Sequence, residues 1–307
     1  MVNITVVGAG MAGLLAAGML RGDCSGVYEA QSSLPNNHSA VLRFRSSVVG
    51  DALNIPFKKV RAAKAIHPFL NPIADAIMYS RKTNGTATLR SISSAGATLS
   101  DRFIAPNDMI SRMRDRVSAP IGFDLSFDHR SAEHPAISTV PMPILMDDLK
   151  WEGERPEFSS TVGRNFSATV SDADGYFSLY VPDPDLPFAR VSLTGDRLVA
   201  ECYGGDCSGG LTDEQVFTAA AKMVGLEPDD LRDHQVTLQK YGKILPIDEA
   251  VRREFIIWAS EEHNVYPLGR FATWRPGLLL DDVVNDVRVI QRLIKSNSER
   301  YSHKKRG

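Results

Sequence analysis

The chain has 307 residues, of which 43% are hydrophobic and 23% charged, the composition of a globular protein with a substantial core. Its formal net charge of −2 excludes a general attraction to nucleic acid or acidic membranes, so such binding would need a local basic patch. No apolar run reaches the roughly 18 residues of a membrane span. The three cysteines, of which Cys202 and Cys207 could pair or stay thiols, fit a reducing cytoplasm.

The first predicted elements form a nucleotide-binding pattern. Asn3–Val7 (NITVV) is rich in β-branched residues and predicts a buried parallel strand, which leaves no room for a signal peptide before it. A glycine-rich loop (GAGMAG, 8–13) follows, then a predicted helix over 14–20 and a second strand over 26–29 that ends in a carboxylate. This order is that of a βαβ unit that binds a dinucleotide.

Each part of this unit has a physical role. Gly8 permits a tight turn, Gly10 lets the backbone approach a pyrophosphate, and Gly13 lets the helix pack closely on the strand. The helix N-terminus offers N–H groups and the positive end of a dipole to the phosphates. Glu29 is expected to accept hydrogen bonds from the adenosine ribose. The alternative, a glycine turn that binds nothing, does not account for the register of all these parts.

Two arginines follow on a strand predicted over 40–46, where alternation places Arg43 and Arg45 on one face. Neighbouring cations favour an anion between them, so they predict a clamp for cofactor phosphate or an anionic substrate, with a solvated strand face as the alternative. After a short helix predicted over 48–55 comes a basic cluster that could bind phosphate or be solvated, formed by Lys58, Lys59, Arg61 and Lys64.

The rest of the chain alternates helical and extended patterns. Helices are predicted over 71–82 and 107–116, and four β-rich runs separated by Asp, Pro and Gly turns predict an antiparallel meander over 164–203. A capping box at Thr212–Gln215 opens a further helix. The later predicted elements are a strand over 235–245, an amphipathic helix over 247–262, a strand over 264–271, a helix over 283–294 and a disordered basic tail over 296–307.

The two ends of the chain together resemble the FAD-dependent oxidoreductases of the glutathione-reductase-type Rossmann class. GRFATW at 269–274, followed by Asp281 and Asp282, is similar to the amine oxidase, protoporphyrinogen oxidase and UDP-galactopyranose mutase group. The resemblance implies an α/β fold in which a Rossmann-type FAD-binding domain carries an inserted, reduced antiparallel β substrate domain. The implied FAD-binding domain comprises 1–66 and 236–295, and the substrate domain comprises 67–235.

The resemblance also implies which residues contact FAD. They lie in the glycine loop, at the end of the second strand, on the following strand and around the C-terminal Gly-Arg. The candidates are Gly8, Gly10, Met11, Ala12, Gly13, Glu29, Ala30, Arg43, Gly269, Arg270, Phe271, Trp274, Asp281, Asp282 and Val283.

The compact form of the chain also looks like small bacteriophage FAD proteins, some of which oxidatively trim an amino-acid adduct on thymine in viral DNA. This implies oxidation of a C–N bond of an amine or amino-acid-type donor, with hydride transfer to the flavin and hydrolysis of the imine, in the cytoplasm of the host. Lys243 is the candidate catalytic residue, with an ordinary surface lysine as the alternative. The candidate substrate-binding residues, for a donor carried on DNA, are Arg45, Lys58, Lys59 and Lys64.

Two other function classes stay open: a non-redox flavoenzyme of the mutase kind, and an NAD-binding regulatory protein. A single dinucleotide motif disfavours a separate NAD(P)H domain. No Ser-His-Asp, HExxH or CxxC motif competes with the glycine loop, and neither a metal nor a membrane partner is expected. The sequence does not indicate an oligomeric state.

Overall fold

The computed structural model describes residues 2–34, 43–68, 70–84, 97–158, 163–203, 210–239, 244–245 and 247–304. Within these ranges the strands are β1 (Ile4–Val7), β2 (Cys24–Tyr28), β3 (Arg43–Phe44), β4 (Lys58–Ile66), β5 (Ala97–Ile104), β6 (Ile121–Gly122), β7 (Ala136–Ser138), β8 (Gly163–Val170), β9 (Gly175–Tyr180), β10 (Arg190–Gly195), β11 (Arg197–Tyr203), β12 (Leu231–Gln239) and β13 (Val265–Pro267). The α-helices are α1 (Met11–Leu20), α2 (Val48–Leu53), α3 (Pro72–Asn84), α4 (Met109–Arg114), α5 (Met142–Leu149), α6 (Asp213–Met223), α7 (Glu249–Glu262) and α8 (Leu280–Lys304).

A five-stranded parallel sheet has the order β13-β7-β1-β2-β6. Its central strand β1 is buried, as the β-branched composition predicts, and β1 leads through the glycine loop into α1. Helices α1 and α8 pack together over the sheet, where Leu14 and Val287 are fully buried. The Rossmann-type α/β fold predicted from the sequence is therefore confirmed.

The second sheet has eight strands in the order β12-β8-β11-β10-β9-β4-β5-β3, all antiparallel except for the parallel neighbours β4 and β9. The four predicted β-rich runs are strands, but they do not form a simple meander. Strand β8 lies beside β11 and not beside β9, which is a Greek key order. In this register Phe166 and Ala168 of β8 share an apolar cluster with Leu198 and Ala200 of β11, next to α6.

Sheet membership departs from the predicted domain boundaries at 66 and 236. Strands β6 and β7, expected in the substrate domain, complete the parallel sheet, whereas β4 and the end of β12, expected in the FAD-binding domain, lie in the antiparallel sheet. A strand of two residues has no readable periodicity, which explains why the sequence did not reveal β6. The sequence predicts an extended stretch over 136–140, which is β7, but this pattern does not indicate which sheet the strand joins. The chain thus crosses between the two sheets more often than a single insertion would require.

The helices lie largely where the sequence places them. The capping box at the start of α6 is present, with Gln215 N donating to Thr212 Oγ1 at 3.3 Å and Thr212 N to Gln215 Oε1 at 2.8 Å. One expectation was wrong: the tail predicted to be disordered is helical backbone as far as Lys304, because no glycine or proline interrupts α8. Within the described ranges, no helix is both long and apolar enough to cross a bilayer.

Candidate cofactor site

The two glycine motifs, far apart in sequence, meet at the N-terminus of α1. Gly8 has φ +92°, and a Cβ on it would lie 2.1 Å from Thr139 Oγ1. Gly269, two residues after the end of β13, has φ +90°, and its Cβ would lie 3.0 Å from the Cβ of Ala12. Both positions favour glycine for their backbone conformation and for the close approach of neighbours. We call Gly8–Gly13 together with Gly269 the glycine cluster.

Gly13 and Gly10 are glycines for different reasons. A Cβ on Gly13 would lie 1.8 Å from the carbonyl oxygen of Gly8, so this glycine is required by packing within the protein. A Cβ on Gly10 would meet nothing within 4 Å, and its φ of −63° suits any residue. Packing therefore does not explain Gly10, whereas a phosphate group approaching the backbone at this point would.

The start of α1 is suited to an anion. Gly10 is its N-cap, no side chain caps the helix, and its first turn carries no acidic residue. Such a terminus presents N–H groups and a positive dipole end. Met11 and Ala12, two of the predicted cofactor residues, are the first two residues of this turn and are partly exposed. The residues present at this end of the sheet fit a pyrophosphate.

Glu29 lies at the end of β2, as predicted, and is only 7% exposed. One carboxylate oxygen accepts a hydrogen bond from the N–H of Ala9 at 2.6 Å, and the other accepts from the N–H of Gln31 at 2.9 Å. A carboxylate has further lone pairs for ribose hydroxyls, so these bonds fix its position without exhausting its acceptors. Ala30 follows Glu29 and is exposed.

We expect Glu29→Gln to lower FAD affinity at least about tenfold while the chain stays folded, because hydrogen bonds to a carboxylate contribute roughly 1.5–3 kcal/mol. In addition, the amide NH2 of glutamine would face one of the two backbone N–H donors. Titration of the apoprotein with FAD, followed by flavin fluorescence, measures the change. Glu262→Gln, at the end of α7, is the control; equal affinities in the two variants would contradict the assignment of Glu29.

Some residues of the C-terminal motif (269–274) lie at the glycine cluster, and others lie in the hydrophobic core. Thr273 donates from both its N–H and its Oγ1 to the carbonyl oxygen of Gly269, at 3.0 and 2.7 Å, which shapes the turn. Trp274 is 1% exposed, and its indole N–H donates to the Leu245 carbonyl at 2.7 Å. The rings of Trp274 and Phe271 lie 4.9 and 6.0 Å from that of Phe158. These contacts place the Trp274 ring inside the hydrophobic core.

The first turn of α8 forms hydrogen bonds with a segment from the N-terminal part of the same chain. Asp281 Oδ1 accepts from the N–H and the hydroxyl of Ser46, both at 3.0 Å. Asp282 Oδ2 accepts from the N–H of Leu279 at 3.0 Å. Val283 is 2% exposed and packs in the core of the parallel sheet. Asp281 thus joins the segment after β3 to α8, a role that the sequence did not suggest.

The predicted arginine clamp is not formed as a pair. Arg43 Nη2 donates to the Phe177 carbonyl at 2.9 Å and to Ser178 Oγ at 2.7 Å, in the antiparallel sheet. Burial, aided by the charge of Arg190, lowers the pKa of Arg43 to about 10. Arg45 instead lies 4.0 Å from Asp282. The two side chains diverge because β3 ends at residue 44, so strand alternation does not extend to Arg45.

The basic cluster on β4 is partly neutralised. Lys58 lies 3.0 Å from Asp174, and Lys59 lies 2.8 Å from Asp101. Lys64 Nζ lies 4.6 Å from the ring centre of Tyr180. These exposed ion pairs reduce the positive field that the sequence suggested. Lys243, the candidate catalytic lysine, lies outside the described residues.

An array that sequence reasoning missed adjoins the glycine cluster. His129 Nε2 lies 3.0 Å from Ser138 Oγ, and His129 Nδ1 lies 3.3 Å from Asp148 Oδ2, close enough for an ion pair but not aligned for a hydrogen bond. Ser138 is fully buried and precedes Thr139, which packs against Gly8. No local motif joins positions 129, 138 and 148. Because Ser138 is inaccessible, the array anchors this end of β7 and does not offer a nucleophile.

This array predicts a pH dependence of folding. Burial lowers the pKa of His129 below its ordinary value of 6.5, although Asp148 and Asp128 oppose the shift. Below that ordinary value the unfolded chain takes up a proton that the folded chain resists, so stability falls as the pH falls, by up to about 1.4 kcal/mol per pH unit. Denaturant unfolding between about pH 7 and pH 5 should therefore show a smaller loss for His129→Gln than for the natural chain. If the free energy of unfolding depended on pH equally in both proteins, the lowered pKa of His129 would be contradicted.

The parallel sheet, the glycine cluster and the acid that follows β2 define a Rossmann-type α/β fold. Among the described residues, no group of three or more His, Cys, Asp or Glu side chains could hold a metal ion. No family model and no curated protein matches the sequence.

Several solved structures share this fold. The chain is similar to reduced UDP-galactopyranose mutase, with a TM-score of 0.65 at 13% identity, covering 96% of this chain and 94% of that one. It is also similar to p-nitrophenol 4-monooxygenase from Pseudomonas putida, with a TM-score of 0.54 at 12% identity over 97% and 82% of the chains. For a flavoprotein/dehydrogenase from Cytophaga hutchinsonii the TM-score is 0.53 at 11% identity over 96% and 79%. At these identities the likeness shows the fold.

Proposed function

We propose that the chain is an FAD-dependent enzyme that oxidises a C–N bond of an amine or amino-acid-type donor. The observation that carries the FAD assignment is Gly10, a glycine with open space above it at the uncapped start of α1. FAD, when bound, supplies the acceptor for a hydride from the carbon next to nitrogen. The oxidised donor is an imine, which water hydrolyses to a carbonyl compound and an amine. Oxygen or another acceptor then takes up the two electrons.

The protein's own residues bind and orient. The N–H groups at the start of α1 would hold the pyrophosphate, Glu29 would accept from the ribose, and Gly269 would permit close approach of the cofactor. The antiparallel sheet supplies the substrate wall. Support for an amine-type donor comes from the resemblance of 269–274 and Asp281–Asp282 to the amine oxidase group, and from the single dinucleotide motif.

Spectroscopy of the purified protein tests both parts of the proposal. We expect flavin absorbance that denaturation releases completely as FAD, because neither glycine motif carries a residue placed for covalent attachment. Anaerobic addition of N-methylglycine or benzylamine should bleach the flavin band, and air should restore it. A colourless protein that takes up NAD but not FAD would contradict the assignment of FAD as the cofactor. Bound FAD that no amine reduces would contradict the donor class alone.

One observation favours a second candidate, a non-redox flavoenzyme of the mutase kind. The match to reduced UDP-galactopyranose mutase has the TM-score of 0.65 and near-complete coverage of both chains. Incubating dithionite-reduced protein with UDP-galactopyranose, followed by chromatography of the sugar nucleotide, separates the candidates. An isomeric product formed without consumption of reductant would favour the mutase reaction.

Attachment of the donor to DNA stays a prediction. It implies that turnover depends on the salt concentration. Phosphate contacts release counterions, so turnover of a DNA-borne amine should fall steeply with salt, whereas turnover of a small amine should not. Lys58→Gln and Lys59→Gln should then reduce activity on the DNA substrate only. Each lysine is paired with an exposed aspartate, Asp174 or Asp101, so the expected reduction is partial. Equal effects on both substrates would show that DNA is not the donor's carrier.

A further inference from the structure

One face of the antiparallel sheet carries a row of polar side chains. Cross-strand register aligns Tyr180 of β9, Arg190 of β10, Glu201 of β11 and Asn165 of β8. Side chains of opposed residues lie on the same side of a sheet. Alternate positions on these strands, such as Phe166, belong to the apolar cluster next to α6. The polar row therefore lines the face away from that cluster, and we call it the polar face.

The polar face holds more positive than negative charge. Arg190 Nε donates to Glu201, which is 7% exposed, while the Arg190 side chain keeps 31% of its surface exposed. Arg43 reaches the same face, because its guanidinium bonds Ser178 Oγ and that hydroxyl lies 2.8 Å from Ser192 Oγ. Arg197 of β11 is also on this face, where its Nη2 donates to Ser167 Oγ at 3.4 Å. Three guanidinium groups thus share this face with one carboxylate of the row. Partly buried cations without matching anions are costly, so the excess favours an anionic ligand.

Asn165 gives an independent indication of a ligand. It is 1% exposed, and neither its amide oxygen nor its amide nitrogen has a hydrogen-bond partner among the described residues. Buried amide groups are nearly always paired, since an unmade bond costs about 1–3 kcal/mol. Asn165 faces Glu201 across the strand pair, at the end of the row beyond the arginines. A ligand group with both donors and acceptors would satisfy it.

The end of the polar face at Tyr203 is within electrostatic range of Arg270, the residue that follows Gly269. Tyr203, on β11, donates its hydroxyl to Glu201 Oε1 at 3.3 Å. Burial raises the pKa of Tyr203, and the positive charge of Arg270 opposes this rise. Arg270 directly follows Gly269 of the glycine cluster. A molecule on the polar face would therefore extend toward the cofactor site.

We propose that the polar face binds the oxyanion of an acidic substrate, a carboxylate or a phosphate, through Arg43 and Arg190, with Asn165 as a neutral partner. The proposal deepens the proposed function, on which it rests for the reaction at FAD. It favours an acidic donor, so N-methylglycine, which carries a carboxylate, should reduce the flavin faster than benzylamine, which carries no oxyanion.

Calorimetric titration of the FAD-loaded full chain tests this binding directly. The probes are sodium acetate and inorganic phosphate, with sodium chloride at equal ionic strength as the control. We expect saturable binding of at least one oxyanion and none of chloride. Tighter binding of acetate identifies a carboxylate donor, and tighter binding of phosphate identifies a phosphorylated one. Absence of saturable binding of both probes overturns the proposal.

Variants locate the site. Arg43→Gln should lower the affinity for the probe at least about tenfold, because charge-assisted hydrogen bonds are lost. Arg190→Gln would leave Glu201 without its partner, so the double variant Arg190→Gln/Glu201→Gln keeps the pair neutral and should show the same loss. Arg288→Gln, an exposed arginine on α8 and outside the antiparallel sheet, is the matched control. Equal affinity in the control and the Arg43 variant would overturn the assignment.

Asn165→Leu distinguishes a ligand contact from an unsatisfied core amide. A ligand contact predicts weaker probe binding together with unchanged or higher stability of the unliganded chain. Higher stability with unchanged probe binding would remove Asn165 from the site. Flavin absorbance, measured on each variant, reports FAD content separately, so a failure of anion binding is distinguishable from a failure of the proposed cofactor.

Discussion

Gly10→Ala should leave the fold intact and lower FAD affinity at least about 100-fold, since hydrogen bonds to a charged phosphate contribute roughly 1.5–3 kcal/mol each. The methyl group meets nothing within 4 Å, and the backbone at φ −63° accepts alanine without strain. The free energy of unfolding of the apoprotein should therefore be unchanged. In the presence of FAD, the methyl group would hold the phosphates away from the N–H groups of α1.

Two measurements check this result on the same preparation. Denaturant unfolding of the apoprotein reports the fold, and fluorescence titration with FAD reports the affinity. Gly225→Ala is an informative comparison, because a Cβ on Gly225 also meets nothing within 4 Å but its φ of +75° disfavours alanine. That variant should lose stability and keep FAD affinity, the reverse of Gly10→Ala. Normal FAD binding by Gly10→Ala would show that the phosphates do not bind at this position.

The elements that the sequence predicts well are those with a local code. The loop from Gly8 to Gly13 and the acid at the end of β2 follow from residue types within thirty positions of one another. The capping box of α6 is equally local, and the structure contains both of its hydrogen bonds. Such features depend on backbone conformation and nearest neighbours, so a single sequence suffices to identify them.

The features that were missed depend on contacts between distant segments. The extended pattern over 136–140 predicts a strand but not its place beside β1, which puts Thr139 next to Gly8. His129 reaches Ser138 only through that topology. Arg43 was placed at the cofactor by its position in the sequence, whereas its hydrogen bonds lie with residues 177 and 178. Sheet order determines these contacts, and local patterns do not encode it.

The polar face was not predicted for the same reason. Each of its residues looks unremarkable in its own strand, where a polar residue at alternate positions predicts only a solvated side. The register across β8 to β11 brings Asn165, Glu201 and Arg190 into one row. Only then does the excess of positive charge, together with an unpaired amide, indicate a ligand.

Gly13→Ala should destabilise the folded chain by about 2 kcal/mol, since overpacking against a backbone atom costs about 3 kcal/mol and alanine returns roughly 1 kcal/mol of helix propensity. Its Cβ would lie 1.8 Å from the Gly8 carbonyl oxygen, a backbone atom held by the left-handed conformation of Gly8. Relief requires α1 to move away from the loop, so FAD binding should fall as well. This double loss distinguishes Gly13 from Gly10, whose substitution affects the cofactor alone.

Gly18→Ala in the same helix is the matched control for this prediction. It gains the same helix propensity, but its Cβ would lie 2.6 Å from Leu53 Cδ2, the far end of a flexible side chain that can move aside. Denaturant unfolding of both apoproteins should therefore show a large loss for Gly13→Ala and a loss within about 1 kcal/mol for Gly18→Ala. If the two variants are equally stable, the loop and α1 are not in the tight contact that the glycine cluster requires. The role of Gly13 would then be limited to the cofactor.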